Sequence, residues 1–393
     1  MTDIRNIDHY SYKILIILVC LSFFAFAIGT APLSIASLSA LGVWLLSGIC
    51  YRDRQAWISQ QWLVPLVLLI MLPWFGMLWS DAPMHKLNFA QRSHFWLFAL
   101  VAATTIRTEQ VLNKVVVCYI AGMVFTALPI LLYSFSLTPS MYFMTKIAAQ
   151  GYITYSLLIV IAIALLAFFY REATDLKSRF LIFSLIMLLV LTVTQLSGRS
   201  GYISLALLSP WIFLKMFGRR RLLPILAAMT IVLALLASSQ KVRDRLALIP
   251  QEAARYEAGD RTETSVGARI QMLKDGWTVF MRHPLAGAGT AGLWHETNLM
   301  RPGHGISHPH NSYLYVAANY GLIGIGLYAW LFFITIRRAW HARDSLAGHT
   351  ILAFVSVIMI GSLTDTQILS MATGIALGFI VGIPTTDDKQ CAS

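Results

Sequence analysis

About twelve runs of roughly twenty mostly apolar residues recur along this chain of 393 residues, and no other feature constrains its fold as tightly. A helix needs about twenty residues to cross the hydrocarbon core of a bilayer, because each residue advances it ~1.5 Å through ~30 Å. On that basis spanning helices are expected near 13–30, 32–50, 62–80, 90–106, 115–135, 151–170, 179–197, 200–217, 222–238, 312–336, 348–365 and 367–384. The expected fold class is therefore all-α, a polytopic membrane protein with about 12 transmembrane helices and one large extracytoplasmic loop containing short helices. Three parts follow: 1–238 with nine helices, 239–311 as the loop, and 312–393 with three helices and a short tail. Composition agrees. Charged residues make up 12% and hydrophobic ones 57%, with mean hydropathy +0.67, whereas a soluble surface takes ~25% charged residues.

The first run follows Lys13 as a signal peptide would, but it continues through a short turn at Gly29 to Pro32 into a second span. It reads as an anchor that stays in the protein. The four cysteines, Cys20, Cys50, Cys118 and Cys391, lie outside the loop, so no disulfide holds that loop together.

A formal net charge of +12 does not indicate nucleic acid, because the basic residues are spread between apolar runs and no zinc-finger or RNP-like spacing occurs. They report orientation instead. With the N-terminus inside, about seventeen fall on inner segments, Arg219, Arg220 and Arg221 among them. The short outer segments carry four: Lys86, Arg92, Lys146 and Arg199. That bias puts both termini in the cytoplasm and the 239–311 loop outside. The loop has nine basic residues, including Arg261, Arg269 and Arg301, interspersed with seven acids, and most of them read as a solvated face. The spans themselves hold almost no ionisable residue and the halves do not repeat, which disfavours a transporter.

Chemistry should then gather at the outer face. Residues 266–282 read as an amphipathic helix with Val266, Ile270, Leu273, Trp277 and Phe280 on one face and Arg269 at its edge. His283-Pro284 ends it, and a close-packing turn follows. Gly287, Gly289 and Gly292 there spell G-x-G-x-x-G, but a helix precedes them and no acid follows at the dinucleotide spacing, so no nucleotide site is expected. No Walker A sequence is present either. Next come His304, His308 and His310. They admit three readings: a metal site, hydrogen bonding within the loop, or a general base at His310. Pro309 and the lack of an H-E-x-x-H or cysteine partner weigh against the metal. Arg199, between Gly198 and Gly201, fits either snorkelling to the headgroups or a lipid phosphate held by its planar fork.

Three stretches carry a family resemblance: Ser197-Gly198-Arg199-Ser200-Gly201-Tyr202; Ala268-Arg269-Ile270 leading to the His283-to-Gly289 turn; and His310-Asn311 followed after nine residues by Gly321 and Gly324. With the layout of the spans, they resemble the O-antigen ligase family of bacterial inner-membrane glycosyltransferases, which is related to O-antigen polymerases. The resemblance implies transfer of a glycan from undecaprenyl pyrophosphate to lipid A–core oligosaccharide at the periplasmic face. For that chemistry the residues themselves, with no carboxylate metal site and no cofactor motif, point to Arg199 and Arg269 as the cations that meet the leaving pyrophosphate. They point to His310 as the base, with His308 as the alternative base. His310, Arg269 and Arg199 are the expected catalytic residues, and no metal or other cofactor is expected. Arg199, Arg269, Asn311 and His308 are the expected substrate contacts, and membrane lipids the surroundings. The motifs do not separate ligase from polymerase.

Overall fold

A computed structural model describes residues 2–137, 151–196, 198–217, 222–259 and 264–385. Lys146, Ser197, Arg219, Arg220, Arg221, Arg261 and Cys391 lie outside the described residues. Helices α1 (Thr2–Ile28), α2 (Thr30–Leu46) and α3 (Leu63–Phe75) come first, then a 3-10 turn (Gln91–Leu97) running into α4 (Phe98–Thr105). They are followed by α5 (Glu109–Ser134), α6 (Tyr152–Glu172), α7 (Leu176–Gln195), α8 (Arg199–Phe217) and α9 (Leu222–Ser238). Three helices fill the 239–311 segment: α10 (Gln240–Glu257), α11 (Ser265–Arg282) and α12 (Gly292–Met300). The chain closes with α13 (Ser312–His341), α14 (Leu346–Gly361) and α15 (Met371–Gly382).

Each run expected to span falls on a helical element. By length and composition, however, six helices among the described residues are long and apolar enough to cross a bilayer: the Tyr10–Ile28 part of α1, α5, α6, α7, α8 and α13. A seventh is added if α9 and α10, bent by 77°, count as one span. The helices α2, α3, α14 and α15 are apolar but shorter. Their sequence runs reach twenty residues only by including turns: Pro73 and Gly76 cut α3 short, and α14 stops at Gly361 before the polar Ser362-to-Gln367 segment.

The core is centred on α6, with 83% of its most apolar stretch buried. Beside it, Phe23 of α1, Tyr119 of α5, Phe354 of α14 and Phe379 of α15 meet at ring separations of 5.1–6.3 Å. Such packing suits an apolar solvent, where tight contact and not water exclusion draws helices together. Small residues allow the closest approaches: a Cβ on Gly378 or Gly382 of α15 would collide with the Phe95 or Ala99 carbonyl.

One helix is broken on purpose. In α13, Gly321 adopts φ 62° and ψ −156°, which interrupts the helical ladder. The 284–290 turn supplies the missing partners. Leu322 and Ile323 N–H donate to the Pro284 and Leu285 carbonyls (2.9 and 3.2 Å), and Ala288 and Gly289 N–H donate to Ala318 and Asn319 (2.9 and 2.8 Å). Irregular backbone within a spanning helix survives only where protein satisfies it in this way. The turn is also tied to the end of α3, since Thr290 N–H donates to the Gly76 carbonyl at 3.0 Å and Ser80 Oγ to the Thr290 carbonyl at 2.7 Å. The glycines of the turn are thus explained: a Cβ on Gly287 would sit 2.2 Å from the Asn319–Tyr320 peptide.

Helix α11 starts and ends as expected, capped by Thr264 and stopping at His283. Gly267, Asp275, Gly276 and Val279 face the protein, while Leu273 and Trp277 are exposed. The other residues of the apolar stripe, Val266, Ile270 and Phe280, are half-buried. Inside, Gly276 lets Pro309 and Leu314 come close. Polar contacts hold this disulfide-free segment together: Tyr256 Oη donates to Gln271, Gln271 Nε2 to Asp275 (2.8 Å), and Asp275 pairs with Arg301. Arg282 pairs with Glu296 at 3.2 Å, so two of the basic residues read as solvated are structural.

Candidate active site

The break in α13 and the α11 contact fix the strand of chain that carries His308 and His310. Pro309 packs against α11, and Asn311 caps α13, its Oδ1 accepting from Leu314 N–H at 2.9 Å. The Asn311 amide also donates to the Leu363 carbonyl at 3.1 Å, and Ser312 N–H donates to the Ser362 carbonyl at 2.9 Å. These bonds clamp the start of α13 to the polar turn after α14. Between the clamps His310 sits at φ 51°. A non-glycine residue in this left-handed region carries about 1–2 kcal/mol of strain, a cost that recurs at functional sites where the surroundings dictate the conformation.

The reward is a contact with Asp365, whose Oδ1 lies 2.8 Å from His310 Nδ1. Burial disfavours the Asp365 charge, but the His310 hydrogen bond and charge and the Thr366 backbone N–H outweigh it and hold the carboxyl below its ordinary value. An ionised carboxylate only accepts, so Nδ1 of His310 carries the hydrogen and Nε2 is the ring atom open to take a proton. Gln367 Nε2 reaches the other carboxylate oxygen at 3.4 Å, and its own Oε1 accepts from Thr154 of α6 at 3.3 Å. His308 stands edge-on to His310, rings 4.5 Å apart, with a buried Nδ1 that has no partner. Burial first, and His310 second, lower its pKa from the usual 6.5, which keeps it neutral.

Both histidines and Asp365 open on a cavity of about 570 Å³ that is also lined by Arg269 and Arg92. Arg269, on α11, makes no ion pair or hydrogen bond among the described residues, so its guanidinium is uncommitted. Arg92 donates to the Leu369 carbonyl at 3.2 Å and lies over the Phe89 ring. Arg199, the first residue of α8, is near but does not line this cavity. Its neighbour Ser200 bonds Thr364 at 2.5 Å, one residue before Asp365. The glycines around Arg199 serve helix packing and not ligand approach, because a Cβ on Gly198 or Gly201 would fall 2.5 Å from Ser156 of α6. His304 stays exposed in its own turn, away from the pair.

Asp365 and Arg92 are the residues that the sequence reading passed over as site members. A signal existed for the first: it is the one acid between the last two apolar runs, in the polar stretch Ser362-Leu363-Thr364-Asp365-Thr366-Gln367. Asp365 also takes the place that the metal reading gave to His304, as a third donor beside His308 and His310. His308, His310 and Asp365 each offer an atom within 4.8 Å of the others, a set able to hold a divalent cation.

An uncommitted arginine, a second arginine and a carboxylate-oriented imidazole around one cavity can bind an anionic leaving group and remove a proton from an incoming hydroxyl. Comparison with known proteins accords with that chemistry. Residues 182–329 match the family model described as O-antigen ligase. The match takes in Arg199, Arg269, His308, His310 and Asn311, and it ends before Asp365. No curated protein matches the chain. Over that stretch the chain is similar to the O-antigen ligase family.

Proposed function

We propose that the protein is an O-antigen ligase, transferring a glycan from undecaprenyl pyrophosphate to a hydroxyl of lipid A–core oligosaccharide. The observation that carries this reading is the His310–Asp365 pair at 2.8 Å, facing a cavity it shares with Arg269 and Arg92. The acceptor oxygen attacks the anomeric carbon, its proton passes to His310 Nε2, and the bond from that carbon to the pyrophosphate oxygen breaks. Asp365 steadies the imidazolium that results. The leaving pyrophosphate gains charge, which Arg269 and Arg92 meet in the cavity and Arg199 meets from the start of α8.

A second feature favours a lipid-linked donor. An apolar groove of about 320 Å³ runs down α13 and α14 from Ser312 and Ser362 past Val316, Tyr328 and Ile358 to Ile336. Its upper end lies two residues from His310, which suits a prenyl chain whose head reaches the cavity. The basic residues Arg171, Lys215, Arg338 and Arg343 gather at the opposite end of the bundle, as they would if His310 faces the periplasm of an inner-membrane protein with cytoplasmic termini.

The test is lipopolysaccharide banding in cells lacking the gene, with lipid-linked glycan assayed alongside. Loss of all capped lipopolysaccharide while long lipid-linked chains accumulate is the expected result. Core capped with a single repeat unit would identify a polymerase. With purified protein, transfer should persist in a chelator; its loss would mean that His308, His310 and Asp365 hold a required cation.

A further inference from the structure

At the end of the bundle far from His310, a second polar cavity of about 570 Å³ opens between the ends of α6, α8 and α13. Its charged lining is Arg171, Lys215, Arg343 and Asp344. Lys215 is only 15% exposed, and its ammonium donates to the Arg343 carbonyl at 2.9 Å and to Asp344 at 3.2 Å. Arg171 reaches the same Asp344 oxygen at 3.4 Å, with Glu172 3.8 Å away on its outer side. Arg343 has no acidic partner among the described residues; its guanidinium stands over the Trp340 ring. Two carboxylates, Asp344 in the lining and Glu172 beside Arg171, therefore face three cations, and with Arg343 unmatched the cavity keeps a net positive charge. The rest of its wall is apolar: Trp211, Leu214, Trp340 and Leu352.

We propose that this cavity binds the phosphate of an anionic phospholipid, with the glycerol and first acyl carbons against Trp211 and Trp340. Basic pockets between helices at a membrane surface take such headgroups, and arginine with lysine supplies donors for the phosphate oxygens. The apolar wall decides the source. A free phosphate ion would use the cations and leave four apolar side chains unused, whereas a phospholipid covers both halves. The proposal rests on the membrane placement of the bundle and is independent of the glycan-transfer reading.

Native mass spectrometry of the full chain, released from detergent with added lipid, tests it. Phosphatidylglycerol should be retained over phosphatidylethanolamine of the same acyl composition. The combined variant Arg171→Gln, Lys215→Gln, Arg343→Gln should lose at least about tenfold of that retention, since each surface cation contributes roughly fivefold. Asp344→Asn removes the competing carboxylate and should raise retention by roughly fivefold, a result that stands even if the triple variant does not fold. Equal retention of the two lipids, a folded triple variant that binds as before, or an Asp344→Asn variant with no gain would each overturn the proposal. Displacement of phosphatidylglycerol by millimolar inorganic phosphate would show that the cavity takes free phosphate and would overturn its lipid assignment.

Discussion

The cavities at the two ends of the bundle have the same volume, about 570 Å³, and are built from different chemistry. At the Lys215 end Lys215 and Arg171 share one carboxylate, Asp344, and Arg343 has no acidic partner among the described residues. At the His310 end two histidines stand beside a carboxylate, and Arg269 makes no ion pair among the described residues. The backbones differ as well. The Lys215 cavity sits between ordinary helix ends, while His310 is held at φ 51° by a cap, a clamp to the turn after α14, and a neighbouring helix. The difference teaches that helix ends alone can bring charges together, whereas holding a ring nitrogen in one orientation, as the proposed proton acceptor needs, comes here with left-handed backbone and several independent supports.

The sharpest way to break this comparison is His310→Ala. Removing a positioned base costs roughly 10²- to 10⁴-fold, so transfer by purified, correctly inserted protein should fall within that range. Near-normal activity would leave the two cavities equivalent in kind. Asp365→Asn should lower the rate on the order of a hundredfold, because an amide no longer stabilises the imidazolium. As a positioning change, it should also lower kcat more than it alters KM and shift the pH profile of transfer.

Arg269→Gln comes next, with a loss of about a hundredfold in kcat if the guanidinium meets charge that develops in the transition state. The matched change at the other end, Lys215→Gln, should leave transfer within about twofold, since a binding pocket remote from the reacting atoms touches no step of the chemistry. Comparable losses from the two variants in the same assay would mean that the far cavity feeds the reaction.

Much of this was legible in the sequence, and what was not has a common physical cause. Helix positions followed from apolar runs, because in lipid the backbone has to satisfy its own hydrogen bonds. His310, His308 and Arg269 were visible as polar residues grouped on the segment between runs. Asp365 was not, because its pairing with His310 joins chain 55 residues apart and no local pattern encodes that contact. On α11 the apolar residues that share a face divide between half-buried Val266, Ile270 and Phe280 and exposed Leu273 and Trp277, because the protein it meets, Pro309 and Leu314 at Gly276, comes from distant chain. The 284–290 turn sits between these cases. Its glycines announced a close approach, but its partner, Gly321, was readable only as one glycine of the His310-Asn311 pattern, without the helix break it makes.

That turn yields a prediction of intermediate size. Gly287 has φ 68° and no room for a Cβ, so Gly287→Ala should destabilise the fold by about 1–3 kcal/mol from backbone strain alone. The collision with the Asn319–Tyr320 peptide adds to that loss. Gly326, also in α13, has open space around its Cβ position, and Gly326→Ala should be neutral or slightly stabilising. Thermal unfolding in detergent compares the two. An equal effect would mean that the turn does not brace the His310 end.

The smallest effect expected is in the pH dependence of stability, and it separates the two ends because only one of them has a titrating group outside the membrane with a displaced pKa in the histidine range. Burial, then His310, puts the folded-state pKa of His308 below its ordinary 6.5. Below pH 6.5 the unfolded chain therefore binds a proton that the folded imidazole refuses. Stability contributed by this residue is complete above that pH, and it declines on acidification until the folded imidazole also protonates. Asp365 acts in the same direction but further down, as pH falls through the carboxylate range. His308→Gln keeps a polar side chain and removes the titration. Between pH 7 and 5, above the carboxylate range, the wild-type Tm should drop further than that of the variant. Parallel curves would show that His308 takes a proton as readily folded as unfolded, and the partnerless buried nitrogen would then have to be reached by solvent.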